Sequence, residues 1–245
     1  MNYTLITGAS GGIGQAVAHL SAVQGNTPIC VGRKLETLEQ AFPDFPRVQA
    51  DVTRESDIQA LFNELETRGQ IPDAVVHCVG SSLATPLDRV SVQQYVDTIA
   101  INLTSAIAVS RQFVSLLRRH KRKGSVVLFS SVVARIGVAN HEIIAAAKAG
   151  IEGFALSAAA SHASSGIRFN VIAPGLTETP LTRPLLSSEA ARSAAERQYP
   201  IAGVNSADDV ANLACWLGSP AAERITAQVI AVDGGFSRIR PLVRA

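Results

Sequence analysis

Aromatic side chains are scarce in this chain, at 5% of 245 residues, which leaves too few flat rings for a surface that stacks nucleic-acid bases. An excess of one charge is missing too. Lys and Arg number 22 against 20 Asp and Glu, a net charge of +2, so neither nucleic acid nor another polyanion is an expected partner. The one basic run, Arg118 to Lys123, reads as the end of a helix, where cations suit the negative end of the dipole. Cysteine is limited to Cys30, Cys78 and Cys215, without disulfide or metal-ligand spacing, so no metal site is expected. No uninterrupted apolar run reaches the roughly 20 residues of a membrane span, so no membrane association is expected. A secretory leader is lacking as well, because Asn2 to Ile6 enters a strand directly, which points to a reducing, cytoplasmic setting. With no Pro/Gly/Ser-rich linker and no internal repeat, residues 1–245 read as one domain.

What is present is a rich supply of apolar residues, 47% of the chain against 17% charged, with a mean hydropathy of +0.21. Strands apolar on both faces produce such a composition in a parallel sheet covered by helices on each side. The pattern predicts strands over 3–7, 27–32, 47–50, 74–79, 125–130, 168–173 and 229–232. Helical periodicity runs over 13–24, 34–41, 55–67, 92–119, 143–162 and 208–218. Strand-helix alternation of this kind implies right-handed crossovers and an α/β, Rossmann-type doubly wound parallel sheet of about seven strands. Residues 176–199 depart from the alternation. They follow Pro174-Gly175, where a strand's carboxyl end faces ligands in such sheets, and read as a substrate lid, helical over 188–197.

The chemistry begins at Thr7-Gly8-Ala9-Ser10-Gly11-Gly12-Ile13-Gly14, between the first strand and first helix. Glycines at 8, 12 and 14 permit a tight turn and close approach of backbone to a pyrophosphate, and the helix start supplies free N–H groups. The second strand ends in Gly32-Arg33-Lys34. An acidic residue at this end would bind a ribose 2′-hydroxyl, whereas an arginine accommodates a 2′-phosphate, so NADP(H) is expected in preference to NAD(H). Asp51-Val52 closes the third strand, where the carboxylate could meet the adenine amino group; Thr53 or Ser56 could cap the helix that follows.

These motifs, together with Asn102, Ser131, Lys148, Pro174-Gly175 and the ending Ile225 to Gly235, resemble the short-chain dehydrogenase/reductase family, in its compact branch similar to 3-oxoacyl-carrier-protein reductases. The resemblance implies that Gly8, Ser10, Gly11, Gly12, Ile13 and Gly14 surround the diphosphate and ribose, with Asp51 and Val52 flanking adenine. It also implies that Lys148 holds the nicotinamide ribose, while Cys78, Gly80, Pro174, Gly175, Thr177 and Thr179 complete the cofactor contacts, the two threonines at the carboxamide. Asn102 would anchor a proton-refilling water chain, and Ser131 would orient the substrate oxygen. Three positions depart from the pattern. The usual Asn-Asn-Ala-Gly reads His77-Cys78-Val79-Gly80, a late arginine is replaced by Gly203, and the usual tyrosine is Ile144.

Isoleucine neither gives a proton nor binds an oxyanion, and loss of a general acid removes on the order of 10² to 10⁴ in rate. His141, three residues before Ile144 and seven before Lys148, shares their helical face if the helix has begun there, and imidazole is a capable acid. The same position also suits a first-turn residue facing water. Glu142 points off that face and favours the helix start, with Asn140 as N-cap. Tyr199 reads as a lid or core-edge residue that could reach the site. The expected activity is NADPH-dependent hydride transfer to a carbonyl or a conjugated C=C of a partly apolar small molecule, which Leu176, Leu181, Leu185 and Leu186 suit. The alternative is a catalytically silent, cofactor-binding subunit that supports a partner. The resemblance also implies a homodimer or homotetramer, formed through the helices over 92–119 and 143–162.

Overall fold

The computed structural model describes residues 2–240; residue 1 and residues 241–245 of the expected single domain lie outside the described residues. Its elements alternate as read from the pattern: β1 (Tyr3–Thr7), α1 (Gly12–Val23), β2 (Thr27–Gly32), α2 (Leu35–Ala41), β3 (Arg47–Gln49), α3 (Glu55–Thr67) and β4 (Ala74–His77). Then come α4 (Val92–Ile99), α5 (Ser105–Arg119), β5 (Gly124–Phe129), α6 (Glu142–His162), β6 (Ile167–Pro174), α7 (Glu189–Glu196), α8 (Ala207–Gly218) and β7 (Val229–Val232). All seven strands are parallel, in the order β3-β2-β1-β4-β5-β6-β7.

Alternation along each strand assigns its side chains to two cores. Leu5, Val75, Val126 and Val171 face α3, α5 and α6, packing with Phe62, Phe113 and Ile151. Their neighbours Ile6, Val76, Val127 and Ile172 face α1 and α8, packing with Val17, Val210 and Leu217. Both layers exclude water, which is why the strand sequences are apolar at consecutive positions. Chain order reverses between β1 and β4, which pair in register from Thr4↔Ala74 to Thr7↔His77. The crevice beyond the carboxyl ends at this reversal is the ligand position of the architecture.

Several expectations are corrected. The helix over 92–119 is interrupted by a π-helical segment, Ala100–Thr104, with Asn102 fully buried within it; such bulges absorb one extra residue in a helix. The α6 helix starts at Glu142 with His141 as its N-cap, not Asn140, whose φ of 63° places it in the left-handed region. Arg54, rather than Thr53 or Ser56, occupies the N-cap of α3, because both candidate hydroxyls bond elsewhere: Thr53 to Asp51, Ser56 to Asp57. Cys78 falls just past β4. The helical runs Val92–Arg119 and Glu142–Ser165 are also long and apolar enough to cross a membrane, with mean hydropathies of 1.3 and 1.4, contrary to the simple run count. Packing gives these runs another use, since both place residues in the core, among them Val109, Phe113, Ile151 and Ala155.

Candidate active site

A cavity of about 420 Å³ opens at the carboxyl ends of the central strands, bounded by the segments after β1, β4, β5 and β6 and by the 176–199 excursion. It gathers Ser131, His141, Lys148, Ile13, Cys78, Gly80, Pro174, Gly175, Thr177 and Thr179 in one wall, together with Ile144. A larger cavity of about 620 Å³, lined by Tyr3, Ser125 and Arg168, lies at the amino ends of the strands, the wrong edge for ligands in this architecture. There the Arg168 guanidinium donates to the carbonyls of Leu217, Ser219 and Ile225, closing the end of α8.

The remaining expected residues sit outside the cavity wall, along the same edge of the sheet. Gly8, Ser10, Gly11, Gly12 and Gly14 form the β1–α1 turn. Gly8 has a φ of 71°, and a Cβ there would lie 3.0 Å from the Cys78 carbonyl. A Cβ on Gly14 would overlap the Gly8 carbonyl oxygen. The Gly11 N-cap contributes no side-chain hydrogen bond, and the first turn of α1 holds no acidic residue. The helix start therefore presents backbone N–H groups and positive potential with no carboxylate in its own first turn, a fit for a dinucleotide diphosphate. The excursion packs directly over this turn, since a Cβ on Gly12 would lie 2.8 Å from Thr179 Cγ2.

Arg33 is exposed at the end of β2, where its carbonyl accepts the Gln49 amide at 3.0 Å. Asp51 accepts the Thr53 N–H and hydroxyl at 3.0 and 2.7 Å. Partial burial opposes ionisation of this carboxyl, but the Thr53 bonds and the nearby Arg33 and Arg54 charges outweigh it and hold its pKa below the usual value. Two nearby guanidinium charges and one carboxylate thus mark the outer end of the groove, beside the buried Val52.

At the inner end, the β5–α6 connection carries Ser131 and α6 carries Ile144 and Lys148. Ser131 Oγ accepts the Val133 N–H at 3.4 Å, which leaves its own hydrogen for a ligand oxygen. Lys148 is 7% exposed, and its Nζ donates to the Phe129 carbonyl at 3.0 Å. Burial lowers its pKa to about 8, so the ammonium persists near neutrality. Gly80 lies beside it, where a Cβ would stand in ordinary contact with Nζ at 3.5 Å and in tight contact with Asn102 Oδ1 at 3.3 Å. The connection is tied to α6 by Glu152, which accepts Ser130 Oγ at 2.8 Å and Arg135 Nε at 3.0 and 3.1 Å. His141 Nδ1 donates to the Ala139 carbonyl at 2.7 Å, and only its capping position, not a shared helical turn, brings it to the cavity.

Asn102 lies behind the wall. Its amide donates to Ser81 Oγ and the Thr98 carbonyl and accepts the Ser81 N–H, at 2.8, 3.0 and 3.1 Å, so the side chain fixes the loop after β4. Thr177 Oγ1 donates to the Gly175 carbonyl at 3.1 Å, and Thr179 Oγ1 meets Thr182 Oγ1 at 3.0 Å.

Two residues named from the sequence have partners that it did not show. His77 is 1% exposed and crosses the β1/β4 reversal: Thr7 Oγ1 meets Nδ1 at 2.7 Å and Nε2 meets Ser105 Oγ at 3.0 Å. Because Ser105 Oγ donates to the Ile101 carbonyl at 2.6 Å, it accepts from His77, which fixes the Nε2–H tautomer. Burial, then the Lys148 charge, lowers the imidazole pKa to about 3. The second residue is Tyr199, whose phenol oxygen accepts the Leu176 N–H at 2.6 Å within the cavity wall.

Comparison with known proteins matches residues 8–237 to the family model described as enoyl-(acyl carrier protein) reductase. The 3β-hydroxysteroid dehydrogenase 1 of Eggerthella lenta is 32% identical over 241 residues, covering 95% of this chain and 92% of that protein. The 3-oxoacyl-(acyl-carrier-protein) reductase of Escherichia coli is 33% identical over 237 residues, 95% of this chain and 96% of that protein. A short-chain type dehydrogenase/reductase structure from Mycobacterium ulcerans superposes with a TM-score of 0.91 at 27% identity, covering 96% and 90% of the two chains.

Proposed function

The chain belongs to the short-chain dehydrogenase/reductase family of oxidoreductases, and from that premise we propose that it is an NADPH-dependent reductase with an atypical proton donor. The observation that carries the reading is the joint placement of Ser131 and buried Lys148 in one cavity wall with the Ile13 end of the glycine turn. In this reading Gly8, Ser10, Gly11, Gly12, Ile13 and Gly14 hold the diphosphate and its ribose, Asp51 and Val52 the adenine, and Lys148 the inner ribose. Cys78, Gly80, Pro174, Gly175, Thr177 and Thr179 line the nicotinamide end. When bound, reduced nicotinamide supplies a hydride there. Ser131 orients the substrate oxygen, and Ile144 takes the place of the family's tyrosine.

Residues 176–199 act as the substrate lid. Its Leu176, Leu181 and Leu185, with Val133, Val138 and Phe236, make the wall mainly apolar, which suits a carbonyl or a conjugated C=C on an apolar body. The two relatives' names, hydroxysteroid and oxoacyl, describe oxygen functions on such bodies. A buried isoleucine at 144, 5% exposed, also favours a second reading, a silent subunit that only binds cofactor. Under both readings we place a homodimer or homotetramer contact on the outer faces of α4, α5 and α6, where Val92, Tyr95, Val96, Ile107 and Leu156 are exposed.

Calorimetric titration with NADPH and NADH tests the cofactor assignment. NADPH is expected to bind more tightly. Arg33→Ser is expected to weaken NADPH by about 10- to 100-fold, the worth of a charge-assisted contact of ~1.5–3 kcal/mol, and to leave NADH unchanged. Equal affinity of both cofactors for the unaltered protein would remove Arg33 as the selector. NADPH oxidation with a carbonyl probe separates the enzyme from the silent subunit.

A further inference from the structure

The reductase reading leaves a chemical gap at Ile144, and the wall of the same cavity contains a phenol, that of Tyr199. Tyr199 closes the excursion, just beyond α7. Its ring packs on Phe236 with centroids 5.0 Å apart and planes tilted by 30°. Backbone at Gly175 leaves room for it, since a Cβ there would lie 2.9 Å from the ring and 3.1 Å from the phenol oxygen. The Leu176 N–H donates to that oxygen at 2.6 Å. No acceptor among the described residues takes the phenol hydrogen, although the group is half-buried and faces a cavity shared with Ser131, Ile144 and Lys148.

On the strength of the reductase reading, we propose that Tyr199 is the catalytic donor, giving its hydroxyl hydrogen to the carbonyl oxygen of a small, mainly apolar substrate. The balance is complete with the groups named. As the carbonyl carbon receives a hydride, two electrons and one hydrogen, from reduced nicotinamide, its C=O π bond opens. The oxygen then takes the Tyr199 proton, giving an alcohol and oxidised nicotinamide. Breaking the phenol O–H bond leaves a phenolate, which the Leu176 N–H stabilises as a backbone donor stabilises an oxyanion, until solvent water returns the proton. For a conjugated enone, the distant carbon receives the hydride and the enolate oxygen takes the Tyr199 proton, giving an enol that tautomerises in water to the saturated ketone.

Two other features of the wall agree with this assignment. Burial raises the pKa of Tyr199 above its ordinary value, against the smaller opposing effect of the Leu176 bond, so the phenol is protonated throughout the neutral range. His141, the competing donor, has its Nδ1 hydrogen engaged by the Ala139 carbonyl, and in the neutral ring its Nε2 carries no hydrogen to give.

The test compares the full chain with Tyr199→Phe, which keeps the ring on Phe236 and removes only the hydroxyl. Cyclohexanone and 2-cyclohexenone serve as probes with NADPH, and calorimetry first establishes NADPH binding by both proteins. Tyr199→Phe is expected to lower kcat on the order of 10²-fold, the range of a lost general acid, with NADPH affinity unchanged. The solvent deuterium isotope effect on kcat is expected to change as well, which loss of a structural bond would not cause. A readout without turnover uses 2-cyclohexenone bound to the NADP⁺ complex. Its infrared carbonyl stretch is expected to lie lower in the unaltered protein than in Tyr199→Phe, because only the former adds the Tyr199 hydrogen bond to that of Ser131.

Turnover by Tyr199→Phe within about threefold of the unaltered protein, far from a lost acid's effect, or identical carbonyl stretches would overturn the proposal. NADPH binding without reduction of either probe would overturn it too, leaving the cofactor assignment standing. Failure to bind NADPH would overturn the reductase reading itself. If Tyr199→Phe unfolds, Leu176→Pro removes the stabilising N–H and keeps the phenol. A folded Leu176→Pro protein with undiminished kcat would then count against the proposal.

Discussion

Ile144→Tyr is expected to raise kcat/KM for cyclohexanone on the order of 10²-fold, the lower end of what a positioned general acid contributes. Position 144 lies in the first turn of α6 with its side chain in the cavity wall. Lys148 is one turn further along the same helical face. A phenol introduced at 144 would stand beside an ammonium that, with a pKa of about 8, is charged near neutral pH. A neighbouring positive charge favours phenolate and makes the phenol a stronger acid, and in the proposed reading Ser131 offers its hydrogen to the substrate oxygen that the new phenol would serve. Enlarging a buried side chain costs about 1–3 kcal/mol when the surroundings are full. Here the 420 Å³ cavity gives the ring somewhere to go, and a modest fall in thermal stability is expected.

The gain should be largest in a Tyr199→Phe background, where the new phenol has no competitor, so Ile144→Tyr would rescue the single variant. Steady-state rates of NADPH oxidation by the four proteins give the answer. If the gain is the same in both backgrounds, the two positions serve different atoms of the substrate. No gain in either, with NADPH still bound, would mean that position 144 does not face the reacting carbonyl.

What the sequence made legible was whatever depends on near neighbours. The glycine turn could be recognised because Gly8, Gly12 and Gly14 do their work within one loop and one helix start. Both cores followed from alternation within strands such as Val75-Val76 and Val126-Val127. The helix of the 176–199 excursion, read over 188–197, runs Glu189–Glu196, with Ser188 as N-cap accepting the Ala191 N–H at 3.1 Å. Longer-range partnerships were hidden. His77 joins Thr7 across 70 positions and Ser105 across 28, and the sequence showed only that an expected asparagine was absent. The interruption of the helix over 92–119 leaves no periodic trace, because one extra residue shifts the apolar pattern by little more than a quarter turn. Tyr199 looked like an ordinary lid residue because the group that gives it chemical meaning, the Leu176 N–H, is 23 residues away and is backbone.

The His77 bridge leads to the second large effect, a loss of stability in mild acid. The folded protein holds this ring neutral, its pKa moved from 6.5 to about 3, whereas the unfolded chain takes up a proton near 6.5. The folded-state value is depressed, so the full contribution of the neutral ring is present above pH 6.5 and is lost as pH falls toward 3. In that window the unfolded state holds the extra proton, and unfolding is favoured by about 1.4 kcal/mol for each pH unit. His77→Asn places the family's residue there, with hydrogen-bonding capacity and no titration. Unfolding by urea at successive pH values should show His77→Asn losing less stability than the unaltered protein between pH 6.5 and 4.5, by about 2.3 kcal/mol over the interval, since the unfolded ring is half protonated at its start. The carboxyls of Asp51 and Asp233, both held below their ordinary 3.8, contribute an acid slope of their own. That slope lies below the chosen window and is common to both proteins, so the difference isolates the ring. Parallel stability curves would mean that His77 carries a proton in the folded state, which its Nδ1 contact with Thr7 would then have to accommodate by making the hydroxyl an acceptor.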